Sequence, residues 1–352
     1  MKPEPFRIEP TFVPRIWGAR SLAPLYPEKS NLPEPIGEVW LTGVDCKVAT
    51  GPFAGKTLGE AWREMPPEWR GTRFAESGDF PILVKFIFPK DKLSIQVHPD
   101  DAYAAAHEQA AGGRGKTEMW HVVSAQPGAS LLLGLKPGVT RESFVRALEN
   151  HGLEDLLQHH SAQTGDTYFV PARTPHTIGP DVVICEVQEY SDLTYRLDDY
   201  GRVDAKGKPR ELHIEKALEV IDFNAPAPQP IRWDTPMGEI GAGYLYYLAA
   251  CRYFAVEKWE FDGWANENTN PMCFELIIVL KGSGQVRWED GESSYAAGET
   301  WLLPASMGKF KSYTTRGGTE ILRVNIPEIG GFERMIAAKG YPEAMRRRFI
   351  FP

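Results

Sequence analysis

No run in the 352 residues is apolar for long enough to cross a bilayer as a helix, which takes about 20 consecutive apolar residues. No basic run dominates either, and the net charge is -8. A general binder of nucleic acid or of anionic membranes is therefore excluded, although a local cationic pocket is not. The opening MKPEPFRIEPTF lacks the apolar core of a secretory signal. Cysteine is scarce: Cys46, Cys185, Cys251 and Cys273 are far apart and form no CxxC pair. That spacing argues against a thiolate metal site and for reduced thiols in a cytoplasmic protein. Histidine is scarce too, and residues 231 to 327 contain none.

Short strand-like runs dominate what remains. PILVKFIF, LSIQVHP, EMWHVV, ASLLLGL, DTYFVPA and DVVICEVQ are each bounded by Gly, Pro, Asp or Ser. The 33 Gly and 29 Pro are spread along the chain, as many turns between short strands require. Two helices interrupt the pattern. In TRESFVRALENHGLEDLLQHH, Thr140 reads as an N-cap, Phe144 and Leu148 fall one turn apart, and Gly152 ends the run. In RELHIEKALEVID, Leu212, Ala217 and Val220 read as packing residues. NAPAPQP, residues 224–230, reads as a stiff linker, because neither flank's periodicity continues through it. Across it two phrases repeat: TGDTYFVPARTPH and AGETWLLPASMGK are both Gly-acid-Thr-aromatic, two residues, then Pro-Ala. Such repetition predicts two copies of one β-barrel module, a first domain over 1–226 with a small helical insertion and a second over 227–352. The tail GGFERMIAAKGYPEAMRRRFIFP has room for a helix.

Side chains alternate faces along a strand. In LSIQVHPDD, Leu93, Ile95 and Val97 therefore share an apolar face, and Ser94, Gln96 and His98 share a polar one. In KTEMW, Lys116, Glu118 and Trp120 share a face, and His176 follows the turn PARTP. Two imidazoles, a carboxylate and an amide oxygen make a four-ligand N/O site, expected as one ion per chain. Zinc suits it, and without thiolates Mn, Fe and Ni stay open. The second copy ends in Met307-Gly308-Lys309 where the first has His176, so a metal-free second barrel is expected. His121 lies on the face opposite Glu118 and reads as packing. His107, His151, His159, His160 and His213 read as solvated or capping residues in helical or turn-like segments.

LSIQVHPDD, GKTEMW, GDTYFVPARTPHTIG, EVQEYSDLTYRLDDYGR and RELHIEKALEVI occur in an order that resembles type I mannose-6-phosphate isomerases, in their short bacterial form. The resemblance implies an all-β-dominated fold of two cupin (jelly-roll) barrels, with zinc in the first, held by Gln96, His98, Glu118 and His176. It also implies a metal-dependent aldose–ketose isomerase that interconverts mannose 6-phosphate and fructose 6-phosphate through an enediolate. Moving a proton between C1 and C2 needs a base, an acid and cations near the developing charge. The resemblance implies Lys85, Lys116, Asp192 and Arg196 as active-site residues, with Ser94, Lys116 and Arg196 meeting the hexose phosphate. If Lys85 is buried in PILVKFIF, its pKa should fall, and Asp192 is expected to hold the Arg196 guanidinium. Larger relatives carry a His where this chain has Gly115, so a ring-opening role for that His does not carry over. The competing reading is a non-catalytic, metal-containing sugar-binding or regulatory cupin, and a cupin oxygenase is a third. Small-molecule substrate, no nucleic acid, no membrane, and a monomer or homodimer complete the expectations.

Overall fold

The computed structural model describes residues 2–76, 78–203 and 207–351. Among these, the strands form four sheets, and every ladder within them is antiparallel. In the first half a six-stranded sheet runs in the order Thr11–Ala19, Ile36–Trp40, Ile82–Ile87, Val182–Glu189, Glu118–Ala125, Thr167–Val170. It faces a five-stranded sheet ordered Tyr195–Asp198, Ile95–Val97, His176–Ile178, Ser130–Leu135, Leu157–Ser161. The second half repeats the plan with a seven-stranded and a four-stranded sheet. One strand crosses over: Phe6–Ile8 pairs with Thr300–Leu303 and forms the edge of the seven-stranded sheet.

The two large sheets pack on each other through one apolar core. Val84, Phe86, Met119, Cys185 and Val187 from the first meet Phe254, Val256, Leu276, Leu322 and Val324 from the second. Their strands are thus covered on both faces. That is why Ile82–Ile87 and Val182–Glu189 are buried along their whole length and read as nearly unbroken apolar runs. A polar residue in such a run must face the barrel interior, so it must find a partner or a ligand there. Within the first barrel the smaller sheet closes on Ile95, Val97, Tyr195 and Leu197, backed by Phe144 and by Ala217 and Val220.

The expected helices form at Arg141–Glu149, with Thr140 in a capping box, and at Ile214–Val220. The tail holds Ile329–Ala338. Leu212 corrects one expectation: it precedes its helix and is exposed. His159 and His160 correct another. They lie on the strand Leu157–Ser161, whose alternation exposes the first and buries the second.

A candidate metal centre in a cationic cleft

His98, Glu118 and His176 arrive from different strand ends and meet inside the first barrel. The register fixes the encounter, because His176 is paired with Gln96, and Glu118 opens the strand Glu118–Ala125. One atom from each of the three lies within 4.8 Å of the others, and all three side chains are buried. His98 Nδ1 lies 2.8 Å from the Leu193 carbonyl, and His176 Nδ1 lies 2.9 Å from the Thr174 carbonyl. A carbonyl only accepts, so each Nδ1 carries the proton and each Nε2 keeps a lone pair. Burial, the largest cause, holds both imidazoles below their ordinary pKa, and Lys116 adds to it.

Those lone pairs point at a carboxylate. His98 Nε2 faces Glu118 Oε1 at 3.1 Å, and His176 Nε2 faces the same oxygen at 3.5 Å. Neither His98 Nε2 nor Glu118 Oε1 has a hydrogen-bond partner. Burial pushes the Glu118 carboxyl up, but Lys116 and His176 outweigh it and hold it below its ordinary value. Buried acceptors aimed at one another are costly unless a cation stands among them. Gln96 completes the ring with its amide nitrogen 3.2 Å from His176 Nε2. Half a turn of that amide presents its oxygen instead, and the two orientations differ only in which atom the lone pair meets. The donor set therefore fits a divalent ion with nitrogen and oxygen ligands. The carbonyls behind both rings are the outer support such ligands use.

Beside the centre opens a cleft of about 440 Å³. Ser94, Gln96, Lys116, Lys85, Asp192 and Arg196 all line it. Lys85 is buried in mid-strand, with Nζ 2.7 Å from Asp192 Oδ1, 3.8 Å from Glu38 Oε2 and 4.6 Å above the Trp40 ring. The expected fall in its pKa is overturned. Burial does lower it, but Glu38, Asp192 and Glu186 together raise it above the ordinary lysine range. Lys85 is therefore a fixed positive charge. Asp192 does not hold Arg196 as expected, because it is engaged by Lys85. The Arg196 guanidinium instead donates through Nη1 to the Glu211 carbonyl at 2.8 Å, and its buried Nε has no hydrogen-bond partner. Lys116 Nζ stands 3.7 Å from Glu118 Oε2 and 3.9 Å from Glu186 Oε1. His121 is a packing residue, hydrogen-bonded to Thr167 Oγ1 at 2.9 Å.

Reading the sequence missed Glu38, Glu186, Arg15 and Arg210, which also line the cleft. Glu186 lies directly opposite Lys85 on one side and Trp120 on the other. Trp120 Nε1 donates to both Glu186 Oε2 (3.1 Å) and Glu118 Oε2 (3.3 Å). Burial and the neighbouring Glu118 push the Glu186 carboxyl up to about 7. A signal was available, since Glu186 and Gln188 are inward polar residues in the otherwise apolar DVVICEVQ.

Fold and site together define a two-barrel cupin with a candidate His-Glu-His centre at a cationic cleft. Residues 6–120 match the family model of the phosphomannose isomerase type I catalytic domain, and residues 245–326 match that of the mannose-6-phosphate isomerase cupin domain. The mannose-6-phosphate isomerase ManA of Bacillus subtilis is 35% identical over 320 residues, 88% of this chain and 96% of that protein. The mannose-6-phosphate isomerase of Streptococcus mutans is 32% identical over 326 residues, 91% of this chain and 97% of that one. A crystal structure of the mannose 6-phosphate isomerase from Bacillus subtilis superposes with a TM-score of 0.80 at 31% identity, over 91% of this chain and 99% of that one. A mannose 6-phosphate isomerase bound with zinc and yttrium shares the fold, with a TM-score of 0.67 at 16% identity, over 91% of this chain and 98% of that one. The chain belongs to the type I mannose-6-phosphate isomerases, and the isomerase reading stands over the non-catalytic one.

Proposed function

We propose that this cleft interconverts mannose 6-phosphate and fructose 6-phosphate, with one divalent ion, zinc by preference, held by Gln96, His98, Glu118 and His176. The observation that carries the metal assignment is the pair of buried, unpartnered acceptors His98 Nε2 and Glu118 Oε1 facing each other at 3.1 Å. When bound, such an ion supplies Lewis-acid polarisation of the sugar's carbonyl or neighbouring hydroxyl. The chain's own residues supply the rest. Lys85, Lys116 and Arg196 put fixed positive charge around the oxygens on which an enediolate develops, and Ser94 adds a hydroxyl at the wall. Asp192 orients Lys85. The proton carrier follows by elimination among the cleft carboxyls. Glu38 is taken by both arms of Arg15 at 2.9 Å and by Trp40 at 2.7 Å, and Asp192 by Lys85. Glu118 belongs to the centre. Glu186 has no cation at hydrogen-bond distance, its Oε1 lying 3.9 Å from Lys116 Nζ, so we assign it the transfer between C1 and C2.

We further assign residues 1–226 to the metal-binding domain and 227–352 to the second, with Phe6–Ile8 lent across. We place the protein in the cytoplasm as a monomer or homodimer. Among the described residues no helix is long and apolar enough to cross a membrane. The test is a coupled isomerase assay on the purified protein before and after chelation. Activity that chelation leaves untouched, or no turnover of mannose 6-phosphate by metal-loaded protein, would overturn the reading.

A further inference from the structure

Lys116 sits on a segment whose backbone is held on both sides by acids. Gly115 N–H donates to Asp101 Oδ1 at 2.9 Å, and Thr117 N–H donates to Glu189 Oε1 at 2.7 Å. The Asp101 and Glu189 carboxyls are thereby brought beside each other, close enough for the charge of Asp101 to act on Glu189. Like charges disfavour ionising both, so such a pair holds a proton more readily than either acid alone. The second half closes the cluster. Tyr253 O–H donates to Asp101 Oδ2 at 2.5 Å, and the Arg252 guanidinium lies 3.5 Å from the same oxygen and donates to the tyrosine. Glycine at 115 makes the approach possible. A Cβ there would lie 2.6 Å from both the Asp100 carbonyl carbon and the Asp101 nitrogen.

We propose that the Asp101–Glu189 carboxyl pair, capped by Tyr253 from the second half, is a positioning device that sets the Lys116 ammonium against Glu118 and Glu186. The proposal rests on Lys116 being an active-site residue. Glu189 is the proton holder: burial and the adjacent Asp101 push its carboxyl up to about 8. The charged and titratable groups facing the pair are Tyr253, Arg252 and Cys251 from the second half. As pH rises through about 8, Glu189 ionises beside Asp101, the two anions repel, and both anchors of the Lys116 segment loosen. A glutamine at this position keeps an N–H for Asp101 and an oxygen for Thr117 at every pH.

The test is kcat and KM against pH for the metal-loaded full chain as wild type, Glu189→Gln, Glu189→Ala, Tyr253→Phe and Lys116→Ala, with melting temperature and metal content measured on each. Misplacing a reacting group by about 1 Å costs up to roughly a hundredfold in rate. Glu189→Ala should therefore lose about tenfold or more in kcat with KM little changed, and Tyr253→Phe should lose less. Glu189→Gln should stay within about threefold of wild type near neutrality and lack the fall in kcat that wild type shows above about pH 8. Wild-type kcat in a folded, metal-loaded Glu189→Ala protein, or an unaltered alkaline limb in Glu189→Gln, would overturn the positioning role. Full activity in Lys116→Ala would overturn the site reading first, and the two failures are distinguishable because only the second involves Lys116 itself.

Discussion

Lys85→Met is the substitution that separates a fixed cation from a titrating base. Methionine conserves the aliphatic body and removes the charge. The stability cost follows from who loses a partner. Glu38 keeps both arms of Arg15 and the Trp40 indole. Asp192 has a side chain 54% exposed, so water takes the place of the ammonium. Glu186 alone is left buried with one cation fewer nearby. Removing one partner of a fully buried pair costs about 3–5 kcal/mol; with two of three acids compensated, about 2 kcal/mol is expected. At roughly 2.1 cal/mol/K per residue the unfolding entropy of this chain is about 0.7 kcal/mol/K, so Tm should fall by about 3 °C. Activity should fall much further, by a hundredfold or more in kcat, because a donor to the developing oxyanion is worth about 3 kcal/mol.

The pH dependence carries a sign. Lys85 is raised above the ordinary lysine value, so its stabilising charge is fully present below that value and is lost only above it. Above about pH 8 the Tm difference between wild type and Lys85→Met should be flat, and it should begin to shrink as pH falls through about 7, where Glu186 takes up a proton and no longer needs the ammonium. Toward acid it should shrink further: burial pushes Glu38 and Asp192 up, but Lys85 and the neighbouring cations, Arg15 among them, together outweigh it and hold both below their ordinary range. What they contribute is present above the ordinary carboxylate value and disappears as pH falls through the lowered one. The assays are differential scanning fluorimetry across pH and the coupled isomerase assay, with metal content as a control, since Lys85 touches none of the four proposed ligands. A kcat within about threefold of wild type in the folded, metal-loaded variant would refute the cation role.

Metal removal should abolish turnover, and restoring the ion at a hundred times its Kd should add about 2.7 kcal/mol, or about 4 °C in Tm; equal metal content in wild type and His98→Ala/His176→Ala would contradict the ligand set. Arg196→Lys should fold and bind metal yet lose roughly a hundredfold in both kcat and kcat/KM, because Arg196 lies opposite Gln96 in the ladder, beside the proposed ion. A loss confined to KM would move it to the phosphate, and near-normal kinetics would leave it structural. Arg323→Met in the second barrel should lower Tm by about 4–7 °C, from about 3–5 kcal/mol for stranding buried partners, with kcat unchanged below the melting point. Unaltered Tm would show that its carboxylates do not depend on it.

Alternation along single strands made most of the site legible. Gln96 and His98 two apart, and Lys116 and Glu118 two apart, are facts of sequence, and a strand turns each pair to one side. The phrase TGDTYFVPARTPH located His176 through the repeat. What stayed hidden depends on pairing between strands. Glu186 meets Lys85 only because Val182–Glu189 and Ile82–Ile87 are neighbours in register, and no local pattern encodes that neighbour. The wrong partner for Asp192 has the same origin: three alternating residues share a face, but the acid lies before the strand Tyr195–Asp198 and meets the cation from another strand. The strand Phe6–Ile8 is three residues long and joins the opposite half of the chain, so nothing within it announced its sheet.

The repeat also bears on why the proposed chemistry is placed in one barrel. Val170 and Leu303 both precede the shared Pro-Ala, and they pair with Glu118 and Glu275 respectively. These two glutamates are thus equivalent positions. One strand further, Glu186 opposite Trp120 corresponds to Arg323 opposite Ile277. One strand further again, Lys85 opposite Glu186 corresponds to Glu257 opposite Arg323. The charges are exchanged along the ladder: acid, acid, base in the first barrel, and acid, base, acid in the second. In the second barrel the cation is built in. Arg323 donates to Glu275 at 2.6 and 2.8 Å and lies 3.7 Å from Glu257 and 3.6 Å from Glu267. Its guanidinium satisfies the buried glutamate that, in the first barrel, faces two imidazoles with an oxygen no protein group satisfies. A buried carboxylate must be neutralised by something. In the second barrel the chain supplies that cation itself; in the first it leaves the carboxylate to the proposed ion, and that difference is what the proposed division into a structural and a reactive barrel rests on.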